Sequence, residues 1–363
     1  MWVSYKIFYH QSYKDALILN GIIPVMKRLK MEKFIHSYYF DRHWENGPHI
    51  QLNMYLKDSH FKNEVETIFE KQIDLYLEDN PSEKVNLDKL QRNMNELYKM
   101  EMIAQKEDSI FKNNSYIKSD YDIHSNLGEK GKKFIEKYFV NTSELVVSLI
   151  EKTIDDKSKR YMYLMNIMVA LLHSLGDPKR TYLSYRSHSE SILHAYDTSG
   201  KIREKFEANY INNKDTIQNI LEKAENSEID NEASKWKKFF LEFNEEIKSE
   251  VAKGNLNPID IKDAEAFYLE NGVPEHWVVD ELSSFHQMFY SQDGINELLQ
   301  SNYFRSIRMS FSFLYMTFRQ LGLTTLERIY LCYLIANGVE EFYSIDWKQQ
   351  LLESQNKGHM YVD

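Results

Sequence analysis

The chain has 363 residues, a formal net charge of −10, 42% hydrophobic residues and 14% aromatics. That charge disfavours nucleic acid and anionic membranes as general partners, and a lone cysteine, Cys332, excludes an internal disulfide and suits a reducing cytoplasm. Glycine (12) and proline (6) are scarce, which favours long helices over an all-β architecture with its closely spaced turns.

Residues 2–9 alternate Val3, Tyr5, Ile7 and Tyr9 against Trp2, Ser4, Lys6 and Phe8, the period of a strand rather than of a signal peptide. A helical pattern follows over 13–33, with Leu17, Leu19, Ile22, Ile23, Val25, Met26 and Leu29 on its apolar side and a break expected near Gly21 or Pro24. Its last turns carry a basic patch, Lys27, Arg28, Lys30 and Lys33, which reads either as a solvated face or as a hold for an acidic peptide segment. Residues 35–40 and 49–56 form a hairpin about Glu45-Asn46-Gly47-Pro48.

Residues 61–79 and 87–106 read as amphipathic helices, and 113–127 as extended chain or loop. Thereafter the period is helical over 130–139, 143–155, 158–175, 180–196, 201–224, 232–253, 277–291, 303–321, 325–336 and 339–353. The longest mainly apolar stretch, 161–175, contains Asn166 and His173 and is too short to span a bilayer. Thr324 with Glu327 fits a capping box, and Asn337-Gly338 fits a helix C-terminus. The charge-dense stretch 201–257 reads as an exposed helical hairpin. The expected class is α+β: an N-terminal mixed sheet with helices and a hairpin over 1–125, then a mainly helical region over 126–363 packed on it.

No GxGxxG, GxxxxGK[ST], CxxC, HExxH or GxSxG occurs, so neither a cofactor nor a metal site is expected, and Cys332 reads as inert core. General acid–base and electrostatic chemistry remains, and three clusters could carry it. At the hairpin, Arg42 offers a bidentate fork for a carboxylate or amide oxygen, and His43 and His49, beside Trp44, could carry protons near neutral pH. The plainer reading puts Trp44 in the core, pairs Arg42 with an acid such as Asp41, and leaves the histidines on the surface. Over 180–194, Arg186, Glu190 and His194 recur at four-residue spacing, with Ser187 and His188 on an adjoining side; a solvated helix face is the plainer reading. Over 303–319, Phe304, Ile307, Phe311, Leu314 and Phe318 form a core stripe, and Arg308, Ser312, Tyr315 and Arg319 a second stripe beside Ser310. That helix lines a pocket or is an ordinary amphipathic helix with its arginines in salt bridges.

The opening Trp2-Val3-Ser4-Tyr5-Lys6-Ile7-Phe8-Tyr9, the segment Ile22-Ile23-Pro24-Val25 and the run Tyr39-Phe40-Asp41-Arg42-His43-Trp44-Glu45-Asn46-Gly47-Pro48-His49-Ile50-Gln51-Leu52 resemble the start of the lanthipeptide-dehydratase C-terminal (elimination) domain family. The family includes stand-alone thiopeptide-type bacteriocin biosynthesis proteins. The resemblance is strongest over 2–56 and recovers near 180–190 and 319–327. Members of the family either eliminate an activated glutamate to leave a dehydroamino acid, or join two dehydroalanines in a formal [4+2] aza-cycloaddition. The latter then lose water and leader peptide to give a pyridine-type ring in a macrocycle.

Arg42 matches the family's strand arginine. Two eliminase features are missing: an Arg-Tyr-Gly-Gly-like element is not found at 90–97, and Leu314-Tyr315 stands where the eliminase histidine precedes the segment matched by Arg319-Gln320-Leu321-Gly322. The resemblance therefore implies a cofactor-independent pyridine synthase acting on a modified precursor peptide with its leader, alongside dehydratase and azole-forming enzymes. The alternatives are a stand-alone glutamate eliminase and a non-catalytic leader-binding scaffold. In the synthase reading Tyr315, Ser310 and His188 shuttle protons with Glu190 as orienting base. Arg42, His43, Trp44, His49, Arg186, Arg308 and Arg319 hold the substrate, and Lys27, Arg28 and Lys30 hold the leader.

Overall fold

The computed structural model describes residues 1–104, 109–123, 125, 127–259, 263–278 and 281–357. The expected helices over 87–106 and 277–291 and the segment 113–127 extend in part onto residues outside that set.

Strand β1 (Trp2–Phe8) is followed by a π-helical turn (Leu17–Ile22) that runs into α1 (Ile23–Met31). The hairpin β2 (Ile35–His43) and β3 (His49–Leu56) comes next, then α2 (Lys62–Asp79), α3 (Leu87–Met100) and β4 (Ser115–Ser119). The remaining elements are helices: α4 (Gly128–Thr153), α5 (Lys157–Leu175), α6 (Pro178–Thr181), α7 (Leu183–Tyr196), α8 (Lys201–Glu225), α9 (Asn231–Ala252) and α10 (Ala264–Glu270), then α11 (Ser284–Tyr290), α12 (Ile295–Gln300), α13 (Asn302–Gln320), α14 (Thr325–Phe342) and α15 (Trp347–Lys357). The class is α+β as expected.

The helical path does not break at Gly21 or Pro24. Gly21 lets the chain lie against Tyr76, whose ring would be 3.0 Å from an added Cβ. Pro24 falls in the first turn of α1, where its missing N–H leaves no bond unmade.

The chain divides into two compact units. The first comprises Met1–Asp156, Tyr268–Trp277 and Met316–Leu323, so it runs past residue 125 and takes in two later segments. Its 4-stranded sheet has the order β2-β3-β1-β4, and every pairing is antiparallel rather than mixed. The register places Tyr5, Ile7, Ile50, Leu52, Met54, Tyr38 and Phe40 on one face, where the Tyr5 ring meets Phe69 of α2 at 4.5 Å. Ser4, Lys6, Gln51, Asn53, Asp41 and His43 share the other, polar face. There the Ser4 hydroxyl donates to Asn53 Oδ1 at 2.7 Å and the Gln51 amide to Ser119 Oγ at 3.2 Å. Arg42 and Asp41, adjacent in sequence, therefore project to opposite faces. At the hairpin, Asn46 and Gly47 take positive φ (59° and 107°), and Gly47 N–H closes the turn on Trp44 O at 3.1 Å.

The second unit comprises Lys157–Phe267, Val278–Tyr315 and Thr324–Asp363. In it α5 packs on α9, and α14 packs on α7 and α8. Residues 201–257 are not an exposed hairpin: α8 buries Phe206, Ile217 and Leu221, and α9 buries Trp236, Phe240 and Ile247. The capping box at Thr324 and Glu327 is present.

Asn337-Gly338 does not end a helix; α14 continues to Phe342, and the chain turns at Ser344 (φ 54°). Gly338 serves close packing instead, since a Cβ there would sit 2.4 Å from Ile217 Cγ2 of α8. Gly338→Ala is therefore expected to lower stability by about 1–3 kcal/mol in spite of alanine's better helix propensity. Denaturant unfolding should show part of that loss recovered when Ile217→Val is added.

Candidate functional site

Both compact units carry clusters of chemistry-bearing side chains among the described residues. In the second unit one is built from α7, α13 and α14. Helical spacing on α7 turns Arg186 and Glu190 to one side and His188 to another. The His188 imidazole stacks on the Tyr315 ring of α13, with centroids 4.5 Å apart and planes inclined by 21°. His188 Nε2 is buried with no hydrogen-bond partner. The Tyr315 hydroxyl lies 3.6 Å from Cys332 Sγ of α14, and the Arg328 guanidinium stands 5.4 Å over the Tyr315 ring.

Burial, with Arg328 nearby, holds His188 well below the usual imidazole range. Burial, reinforced by Cys332, holds the Tyr315 phenol well above its usual value. Burial likewise pushes the Cys332 thiol up to about 12, which keeps it protonated and unreactive. At neutral pH the cluster therefore presents a neutral imidazole against a protonated phenol.

Other residues expected to act with this pair are committed elsewhere. The Ser310 hydroxyl meets Asn244 Oδ1 at 2.9 Å and Ser306 O at 3.0 Å, which ties α13 to α9. Glu190 accepts from Arg203 at 3.0 and 2.8 Å and from Arg186 at 3.4 Å; burial would raise its carboxyl, but the two arginines hold it low. It is an anchored anion within an ion-pair network rather than a base oriented on His188. Arg186 is buried and also donates to Glu340 at 2.9 and 2.6 Å and to Asn337 Oδ1 at 3.0 Å. Arg308 donates to Ile259 O at 3.1 Å. Ser187 meets His286 Nε2 at 2.9 Å, and His286 Nδ1 meets the N-cap hydroxyl Ser283 at 2.7 Å, which joins α7 to α11.

In the first unit, Arg42 does not pair with Asp41. Its side chain donates to Asp15 Oδ1 at 2.5 Å and to Gln320 O at 2.7 Å. Gly322, at φ 78°, leaves the room: a Cβ there would sit 2.6 Å from Arg42 Nη1. Asp41 accepts both arms of the Arg319 fork, Nε at 2.9 Å and Nη2 more closely, and the Arg42 backbone N–H at 2.8 Å. Burial would raise the Asp41 carboxyl, yet Arg319 and His43 hold it well below the carboxylate range. His43 Nε2 lies 3.4 Å from Asp41 Oδ2, and its ring stacks on His49 at 5.6 Å.

His49 is no surface group. It is buried, with Nδ1 at 2.9 Å from Gly47 O, and burial beside His43 lowers it to about 3. The Trp44 indole meets Tyr98 edge-on at 4.5 Å. The basic patch on α1 is matched by acids: Lys27 with Glu151 at 3.7 Å, Arg28 with Glu32 at 2.9 Å and Lys30 with Glu144 at 2.8 Å. Pairs as exposed as these are weak and can be exchanged for another anion.

Sequence reasoning passed over Asp15, Lys14 and Arg328, and named Asp41 only as a partner for Arg42. A signal for Asp41 was there: a carboxylate set inside an otherwise aromatic strand, Tyr39-Phe40-Asp41, has to find a buried cation. Lys14 is buried, and its ammonium donates to Gln11 O at 2.8 Å. Burial, then Arg42, lowers it to about 7 from 10.5, against the pull of Asp15. Between those values the unfolded chain binds the proton that the folded chain has released, so stability rises with pH. Chemical unfolding at pH 7, 8 and 9 should show this rise, and Lys14→Met should flatten it.

No curated protein matches this chain. The family model described as lantibiotic biosynthesis dehydratase C-term matches residues 2–339. The chain belongs to this lantibiotic dehydratase C-terminal family. Among solved structures, the pyridine synthase TbtD from thiomuracin biosynthesis is similar at TM-score 0.70 and 19% identity, over 95% of this chain and 99% of that one. TsrL is similar at TM-score 0.70 and 16% identity, over 98% of each chain. At such identities the likeness is one of fold, and it extends over nearly the whole family member described here. Among the described residues, no helix is long and apolar enough to cross a membrane.

Proposed function

We propose that the chain is a thiopeptide pyridine synthase, which joins two dehydroalanines of a modified precursor peptide into a six-membered nitrogen ring with loss of water and leader. The observation that carries this reading is the half-buried His188–Tyr315 stack, with its buried His188 Nε2. It is supported by a fold shared over 95% of the chain with the pyridine synthase TbtD.

For the cycloaddition one backbone amide must become its iminol, losing the N–H proton and gaining one on oxygen. A protonated phenol can give a proton to the amide oxygen while a neutral imidazole takes one from nitrogen, and return of that proton from the imidazolium to the phenolate restores both groups. Most of the remaining rate gain comes from folding a flexible peptide so that its two alkenes meet, an effect that reaches effective molarities of about 10⁵–10⁸ M in well-oriented systems. Arg319, half exposed beyond its pairing with Asp41, and Trp44 at the hairpin supply polar and aromatic contacts for the peptide. Lys27, Arg28 and Lys30 supply a surface on which acidic leader residues can displace Glu151, Glu32 and Glu144.

Mass spectrometry tests the reading. The purified protein is incubated with a dehydrated, azole-bearing peptide still carrying its leader, and separately with a peptide glutamylated on serine. Release of the leader with a cyclised core is expected from the first. Conversion only of the second would make the protein an eliminase, and an unchanged mass in both would make it a binding scaffold.

A further inference from the structure

We infer that Asp41 and His43 form a second acid–base dyad, in the first compact unit, with His43 as the proton carrier and Asp41 as its positioning residue. The inference deepens the synthase reading and rests on it.

Register explains the pairing. Asp41 and His43 are two residues apart on β2 and so project from the same, polar face of the sheet. His43 Nε2 sits 3.4 Å from Asp41 Oδ2. The carboxylate itself cannot turn away, because Arg319 grips both oxygens and the Arg42 N–H holds Oδ1. An anion fixed in this way keeps the imidazole proton on Nε2 and leaves Nδ1 as the acceptor.

Behind His43 lies His49, buried and turned toward Gly47 O. His49 is held neutral by burial, so it adds no positive charge behind the His43 ring. Among the described residues, Asp41, Arg319 and His49 act on this pocket, with Glu101 acting on Arg319 and Lys6 and Lys14 on His49. The His43 side chain is 27% exposed, whereas Asp41 is 4% exposed, so the carrier can reach a peptide and the positioning residue cannot.

The chemistry divides accordingly. Iminol formation only moves a proton between two atoms of one amide, which an adjacent acid and base such as Tyr315 and His188 can do. Departure of the leader requires more. The ring-carbon–nitrogen bond breaks, its electron pair stays with the leaving amide nitrogen, and that nitrogen takes up a proton. The adjacent ring carbon gives up its C–H proton, and those electrons become the ring double bond. His43 takes the proton from carbon at Nδ1 and returns one to nitrogen, so protons balance and no oxidant or reductant enters.

The test uses the full chain with the leader-bearing, dehydrated peptide. His43→Ala is expected to lower kcat about 100-fold with little change in KM, and added imidazole should restore a substantial part of the rate. The uneliminated cyclised peptide, with leader still attached, should accumulate. Asp41→Asn should lower kcat in the same direction, and thermal unfolding reports whether that variant still folds. Failure of imidazole to restore His43→Ala, or a rise in KM alone, overturns the dyad while leaving the synthase reading standing. A wild-type protein that changes neither peptide overturns both.

Discussion

Replacing Tyr315 by phenylalanine is expected to lower turnover of the dehydrated peptide by about 10²–10⁴-fold, the usual range for losing a positioned acid or base. The substitution removes one oxygen and keeps the ring. The stack on His188 and the Arg328 contact are made by that ring, so the fold should survive. The phenol's contact with Cys332 is a long one to sulfur and adds little. His188→Gln removes the complementary acceptor, and because the two groups serve one proton exchange, the double variant should be scarcely slower than either single one.

Ser310→Ala is the control on this assignment. Its hydroxyl is spent on Asn244 and Ser306, so the change should cost about 1 kcal/mol of stability and leave the pH dependence of turnover alone. Single-turnover mass spectrometry separates the cases. Full activity in Tyr315→Phe would remove the phenol from the mechanism, whatever the fate of the other variants.

The local pattern carried much of the fold and rather less of the site. Strict alternation over residues 2–9 and 49–56 located β1 and β3, and a positive-φ Asn-Gly turn located the hairpin tip. Strand β4 was invisible as such: Ser-Tyr-Ile-Lys-Ser has little strand character by itself, and β1 supplies the pairing that makes it one. Asn337-Gly338 misled because glycine has two uses. A helix end and a close helix approach look the same in one dimension, and only the presence of Ile217 decides between them.

At the site, spacing alone foretold the Arg186–Glu190 pair, since four residues on a helix place side chains together. The partners of Arg42 were beyond reach. Asp15 lies 27 residues before it and Gln320 lies 278 after it, and no local rule connects them. The same limit hid the stacking of His188 on Tyr315 and the grip of Arg319 on Asp41. Residue types identified the candidates, but tertiary packing chose their partners, turning a supposed base, Glu190, into an anchored anion and a supposed proton carrier, His49, into core.

Arg42 should prove far more important to stability than to affinity. It is nearly buried, like the Asp15 carboxylate it faces, with side-chain exposures of 10% and 6%. Arg42→Ala takes the guanidinium away from that buried carboxylate, a loss of about 3–5 kcal/mol in comparable pairs. Arg42→Lys keeps the charge but not the fork, and an ammonium cannot reproduce both the Nε bond to Gln320 O and the Nη2 bond to Asp15, so it should recover only part of the loss. Gly322→Ala attacks the same pair from the other side. Its φ of 78° strains any residue with a Cβ by about 1–2 kcal/mol, and the new methyl would press on the guanidinium. If glycine is there to admit Arg42, the two substitutions share one interaction, and Gly322→Ala combined with Arg42→Ala should cost clearly less than their sum. Denaturant midpoints for the four corners of that cycle provide the check, and strict additivity would mean that Gly322 serves only as the C-terminal cap of α13. Replacing Asp15 and Arg42 together by leucine and methionine removes both buried charges and should return most of the stability. A stable double variant that still binds peptide would reduce the strand arginine to a structural group, whereas a stable one that has lost binding would restore it to the substrate site.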